Sequence, residues 1–207
     1  MPKLTFTDAE KGHMKSAVAS GHEAWSEQYL SGIKKKLKEQ HLTKQFNCCC
    51  YCSRDLKGEF KLVIDIEHIL PKSIFTNHMF TPKNLSVACK RCNMNIKQAD
   101  VSFLTVATED LPNRVFRSQF YKFVHPNLDN IEAHLNLEIV RLSRRKKIIK
   151  YVVLNESSKG QFNYDYFKLK RLEENAFDEA QDLPSRAEVK NSELAHKFEE
   201  LVRLLNR

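Results

Sequence analysis

Cys49-Cys50-Tyr51-Cys52, then Lys61-Leu62-Val63-Ile64-Asp65-Ile66-Glu67-His68-Ile69-Leu70-Pro71, then Cys89-Lys90-Arg91-Cys92: these three strings, in this order, decide the fold. A Cys-x-x-Cys turn sets two thiolates on one side of a tight knuckle, and two such knuckles complete a tetrahedral site that suits zinc. Of the cysteines around the first knuckle, only Cys49 and Cys52 make the spacing; three residues beyond Cys48 is Tyr51, and three beyond Cys50 is Ser53. The predicted structural zinc ligands are therefore Cys49, Cys52, Cys89 and Cys92, with Cys48 and Cys50 as small buried apolar groups. A closed four-cysteine site keeps no open coordination position, so it is a scaffold and the chemistry must lie elsewhere. The 36 residues between the pairs exceed a short ribbon spacer, and something is built into the gap.

That gap holds an apolar, β-branched run that reads as a strand stopping at Pro71, with Glu67 and His68 at its end. Pro82-Lys83-Asn84-Leu85-Ser86-Val87-Ala88 is a second strand candidate leading into Cys89. Asn93-Met94-Asn95-Ile96-Lys97 starts a helix. An imidazole titrates near neutrality and can take a proton from water. A hard divalent cation such as Mg²⁺ or Mn²⁺ prefers carboxylate and amide oxygens. Taken singly, each residue also has an ordinary structural use: a satisfied strand-end His with a Glu partner, a turn Asn, a helix-capping Asn.

The strings Glu67-His68-Ile69-Leu70-Pro71 and Asn84-Leu85-Ser86-Val87-Ala88-Cys89-Lys90-Arg91-Cys92-Asn93 together resemble the HNH nuclease motif, over about residues 46 to 100. The resemblance implies a zinc-stabilised ββα-metal core and metal-dependent hydrolysis of nucleic-acid phosphodiesters. It implies His68 as general base, Glu67 and Asn93 as ligands of the catalytic metal, and Asn84 as the brace of the His loop. Lys97 is a candidate phosphate contact. It stands four residues after Asn93, where the family commonly has a spacing of three, so a one-residue insertion or a ligand role for Asn95 stays open.

Outside the core, Ile66 to Ser73 and Phe123-Val124-His125-Pro126-Asn127-Leu128-Asp129 resemble the PtuB branch of that family. PtuB is the HNH component of Septu-type bacterial antiphage systems, some of them attached to retrons. That branch implies a PtuA-like ATPase partner, a retron RNA/DNA complex in retron-linked cases, and a nucleic-acid substrate with DNA favoured and RNA open. The rival reading is a non-catalytic zinc module that binds nucleic acid or tethers a partner.

The composition agrees with a polyanionic partner: 34 Lys and Arg against 26 Asp and Glu, a net +8 and a pI near 9.1. No signal-peptide core or membrane-length apolar run is present, so the expected location is cytoplasmic, where paired cysteines point to metal rather than disulfides.

The fold class expected is α+β, a ββα-metal core with helical additions. The expected organisation is an N-terminal helical segment (1–45), the nuclease core (46–100) and a mostly helical C-terminal region (101–207) carrying a partner surface. In the first segment, Thr7-Asp8-Ala9-Glu10 reads as a capping box with a break at Gly21. Trp25, Tyr29, Leu30, Ile33 and Leu37 mark a second helix with a solvated lysine-rich end. Farther on, Asp129-Asn130-Ile131-Glu132 reads as a helix start, and 137–142 and 148–153 as strands with helix as an alternative. Aromatic-rich residues 162–177 are expected to contain a further helix, and Leu194, Phe198, Leu201 and Leu205 mark a terminal one. His125, Asp129 and His134 suggest a second metal site, with a structural His-Pro turn preferred.

Overall fold

In a computed structural model, residues 4–60, 63–141 and 147–174 are described. The chain is α+β: helices pack around two separate two-stranded antiparallel sheets. Helix α1 (Asp8–Ser20) opens on the expected capping box. Thr7 Oγ1 accepts from the Glu10 amide at 3.2 Å, and Glu10 Oε2 accepts from the Thr7 amide at 2.9 Å. It ends at Gly21, whose φ of +97° suits glycine.

The stretch expected to form one second helix is divided. Two 3₁₀ turns, His22–Ser26 and Gln28–Leu30, precede α2 (Ser31–Lys44), because Glu27 is extended (ψ 143°) and interrupts the ladder. Nor are the α2 lysines simply solvated. Lys36 pairs with Glu10 on α1 at 2.6 Å, while Lys34 and Lys38 donate to the carbonyls of Trp25 and Ile64 at 3.0 and 2.6 Å.

Strand β1 (Ile64–His68) pairs antiparallel with β2 (Leu85–Cys89), in a register that sets Glu67 opposite Ser86 and His68 opposite Leu85. One face of this hairpin is covered by the N-terminal helices through Ala17, Leu30, Ile33, Leu37, Met79 and Leu85, with Ile66 and Trp25 packed against them. On the other side lies a second core holding the cysteines and the aromatic side chains of Tyr51, Phe103, Tyr121, Phe123 and Phe167. Burying such rings contributes about 1.5–3 kcal/mol each, which helps a short hairpin persist where it would be marginal alone.

After β2 comes the expected helix, but in π form, over Arg91–Lys97. A π-turn carries one residue more than an α-turn. Gln98, at φ +50°, ends it.

Beyond residue 100 the described chain is built more from loops, turns and strands than from helix. Loops bearing the buried Phe103, Tyr121 and Phe123 lead to a hairpin of β3 (Leu135–Arg141) and β4 (Lys147–Val153), the strand option at 137–142 and 148–153. The helix start expected at Asp129 is a single 3₁₀ turn, Ile131–Ala133, capped by Asn130, whose side chain accepts from the Glu132 amide at 3.2 Å. Asp129 is otherwise engaged, taking the His125 amide at 2.8 Å and Lys159 at 2.7 Å.

The stretch expected to contain a helix, 162–177, holds the end of α3 (Ser158–Tyr166) and α4 (Lys170–Glu174); the chain turns between them, with Lys168 at φ +50°. Gly160 sits where a Cβ would come within 2.2 Å of the His134 carbonyl oxygen, so α3 can lie against the β3 entry only with glycine there. The expected helix through Leu194 to Leu205 lies outside the described residues.

Candidate metal centre and cleft

The cysteine site is assembled from two chain reversals that meet beneath the hairpin. In the first, the Cys49 amide donates to the Arg54 carbonyl and the Ser53 amide to the Cys49 carbonyl, both at 2.9 Å, with Ser53 at φ +53°. The second runs from the end of β2 into the π-helix. The ligand sulfurs of Cys49, Cys52, Cys89 and Cys92 all lie within 4.8 Å of one another, and all four residues are buried.

Cys52 and Cys89 sulfurs are 3.9 Å apart. Four thiolates at about 2.3 Å from a tetrahedral zinc stand ~3.8 Å from each other, so this spacing fits an ion and not a disulfide. The Cys89 amide donates to Cys49 Sγ at 3.3 Å, a bond that favours the thiolate. Among the described residues this is the one place where three or more His, Cys, Asp or Glu ligand atoms lie close enough together to hold a metal. Cys50 is buried and Cys48 half-buried, and burial pushes both thiols above their ordinary range.

The C-terminal part clasps this knuckle. Tyr151 hydroxyl donates to the Cys52 carbonyl (2.7 Å), Asn163 Nδ2 to the Tyr51 carbonyl (2.8 Å) and Arg91 to the Lys168 carbonyl (2.8 Å). Tyr51 stacks on Phe167 at 4.2 Å. By contrast, the His125, Asp129, His134 set holds no metal geometry. His125 Nδ1 accepts from the Asn127 amide at 3.1 Å, and His134 Nδ1 bonds Ser157 Oγ at 2.6 Å. The His-Pro turn is structural.

A cleft of about 850 Å³ at β1 is lined by Trp25, Lys34, Lys38, Asp65, Glu67, His68, Lys72 and Asn93, among others. His68 stands in its wall, 8% exposed, packed edge-on against Trp25 with ring centroids 4.5 Å apart. Its Nε2 is 3.1 Å from the Met79 carbonyl oxygen. A carbonyl only accepts, so Nε2 bears the hydrogen and Nδ1 keeps a lone pair. Burial holds the His68 pKa down at about 3, with Lys72 and Lys97 pushing the same way, so the ring is neutral at pH 7.

Asn84 is fully buried and makes three bonds. Oδ1 accepts from the Leu70 amide at 2.7 Å, and Nδ2 donates to the carbonyls of Leu70 and His78, both at 3.0 Å. It pins both ends of the loop that supplies the Met79 carbonyl.

Glu67 and Lys97 depart from the expectation. Lys97 is 0% exposed, and its ammonium donates to Glu67 Oε1 at 2.9 Å and to the His68 carbonyl at 3.0 Å. A lysine so enclosed cannot meet a phosphate, and that expectation fails. The cause is the π-helix: its extra residue turns the position after Ile96 inward beneath β1. Glu67, 1% exposed, also takes the Tyr51 hydroxyl on Oε1 at 2.9 Å. Burial pushes its carboxyl above the usual range, against the opposing pull of Lys97 and Tyr51.

Asn93 lines the cleft with His68, whereas Asn95 is exposed and lines a different one, with Arg54 and Ile139. Asn93 Nδ2 donates to Asp65 Oδ2 at 3.2 Å, and Lys90 pairs with Asp65 Oδ1 at 3.1 Å. Asp65 was missed from sequence, although its i, i+2 relation to Glu67 places both acids on one face of β1. Asp65, Glu67 and Asn93 are oxygen donors of the kind a hard divalent cation takes.

Fold and site thus define an α+β protein with a zinc-type four-cysteine cluster beside a basic, histidine-bearing cleft. No protein-family model matches the chain. Septu protein PtuB of Bacillus thuringiensis is 33% identical over 76 residues, a match covering 37% of this chain and 26% of that protein. No helix among the described residues is long and apolar enough to cross a membrane.

Proposed function

We propose that the protein is a metal-dependent HNH endonuclease, its β1–β2 hairpin and π-helix forming a ββα-metal module, and that it is the effector of a Septu-type defence system. The observation that carries the reading is the contact of His68 Nε2 with the Met79 carbonyl, which leaves Nδ1 unprotonated on a ring that lines a cleft with Lys34, Lys38 and Lys72. In this mechanism His68 Nδ1 takes the proton of a water as that water attacks a phosphodiester. Met79 and Asn84 hold the ring's direction. Lys72 and Lys34 draw the phosphate backbone into the cleft. A divalent Mg²⁺ or Mn²⁺ would be held by Asn93 with Glu67 or Asp65, and when bound it neutralises charge developing on phosphate and leaving oxygen.

Zinc at the four cysteines is assigned to the frame alone. The enclosure of Glu67 is the observation that favours the rival, a non-catalytic zinc module. Incubating the purified chain with DNA and RNA, with and without Mg²⁺ or Mn²⁺, separates the two: a nuclease cuts one of them only with metal, and a binding module cuts neither. Affinity purification from the native host tests the partners, where a PtuA-like ATPase, with or without a retron RNA/DNA complex, is expected.

A further inference from the structure

A buried lysine is costly to keep. Charges taken out of water lose several kcal/mol of solvation, and an apolar pair of the same volume would hold the fold as well or better. Lys97 nevertheless occupies a fully buried position directly under the end of β1. Its ammonium spans two groups of the proposed site, Glu67 Oε1 at 2.9 Å and the His68 main-chain carbonyl at 3.0 Å. It rests 5.5 Å from the centre of the Phe103 ring. Tyr51 approaches the same Glu67 oxygen. Residue 68 is therefore pinned twice, through its carbonyl by Lys97 and through its ring by Met79.

We propose that Lys97 is the positioning residue of the cleft: it occupies Glu67 Oε1, so a cation meets this carboxylate through one oxygen, and it fixes the main chain from which His68 projects. This rests on the nuclease reading. With Oε1 taken by an ammonium, Glu67 is a one-oxygen ligand and its negative charge is largely balanced. Such a site holds a divalent cation loosely but leaves it and the histidine in a set geometry. Removing the ammonium leaves Oε1 with the Tyr51 hydroxyl alone and makes the site one charge more negative, while residue 68 loses one of its two anchors.

Metal affinity and chemistry should therefore move in opposite directions, which a merely structural role would not produce. In the full chain, Lys97→Met is expected to bind Mn²⁺, followed by electron paramagnetic resonance at pH 8, about tenfold or more tightly than the parent. It should cut nucleic acid roughly tenfold or more slowly, with zinc content retained. Equal or weaker Mn²⁺ binding in a folded variant overturns the proposal, as does undiminished cutting.

If Lys97→Met does not fold, the parent itself supplies the test. Titrating Mg²⁺ into the ¹⁵N-labelled full chain should shift the Lys97 ammonium resonance, and an unmoved resonance refutes the contact. A parent that neither binds Mn²⁺ nor cuts nucleic acid removes the nuclease reading and the proposal with it. A parent that does both while Lys97→Met matches it removes the positioning role alone.

Discussion

Asn84→Ala is the substitution for which the structure gives the clearest magnitude. The side chain is fully buried and satisfies three main-chain groups: the Leu70 amide, the Leu70 carbonyl and the His78 carbonyl. Alanine removes all three partners and supplies none. A buried polar group left unpaired costs about 1–3 kcal/mol, and some water entry is expected, so the loss should total about 3–5 kcal/mol. That is a large part of the roughly 5–15 kcal/mol by which domains are stable, and at about 2–4 °C per kcal/mol it lowers the melting temperature by roughly 6–20 °C. Asn84→Asp should fare little better, since it keeps the acceptor toward Leu70 but turns an oxygen toward two carbonyls. Thermal and urea unfolding of the zinc-loaded chain reads the effect. The Asn84 contacts also carry the Met79 carbonyl that orients His68, so any nuclease activity should fall even well below the variant's melting temperature. An Asn84→Ala protein that melts within about 2 °C of the parent would refute the claim that this side chain holds the loop.

Other expectations follow from particular contacts. Cys89→Ser should lower zinc content and melting temperature together; a full zinc complement in that variant would remove Cys89 from the frame. Ser53 pays a left-handed backbone (φ +53°) in the first knuckle, so Ser53→Gly should leave zinc binding intact and stabilise by up to about 1 kcal/mol in urea unfolding. Gly160→Ala would put a methyl against the His134 carbonyl and should destabilise measurably by the same assay. His125 is held down at about 3 from its usual 6.5 by burial, so the unfolded chain binds its proton first. Its stabilising contribution is complete above about pH 6.5 and is lost as the pH falls toward 3. The stability gap between the parent and His125→Asn, which retains an acceptor for the Asn127 amide, should narrow over that range.

What could be read from sequence was what is set by short spacing. The four cysteines meet because each pair is one tight turn, and Thr7 with Glu10 makes a cap that needs only four residues. Of the two options kept for the apolar runs near 137–141 and 148–153, the strand formed: both are rich in β-branched residues and pair in register, with Ile139 opposite Ile149. Features that depend on how turns are wound were not legible. Lys97 is a phosphate candidate in sequence because the resembling family commonly carries a lysine near that position, and the π-helix turns it into the core. Glu27 divides a segment whose apolar spacing suggested one continuous helix. Asp129 carries the residue type of a cap, but His125 and Lys159 take its carboxylate first, and Asn130 caps instead. Asp65 went unnoticed because its meaning lies in its contact with Asn93 on the π-helix, 28 residues away in the chain, which one sequence does not encode.

The central claim is that His68 is the base of a metal-dependent nuclease built on a zinc frame. Its most direct test is cleavage of DNA and RNA by the parent and by His68→Ala, in Mg²⁺ or Mn²⁺, with zinc content and melting temperature measured on the same preparations. Metal-dependent cutting is expected from the parent and none from His68→Ala, with zinc unchanged in both. Equal cutting by the two proteins, at equal zinc, would contradict it.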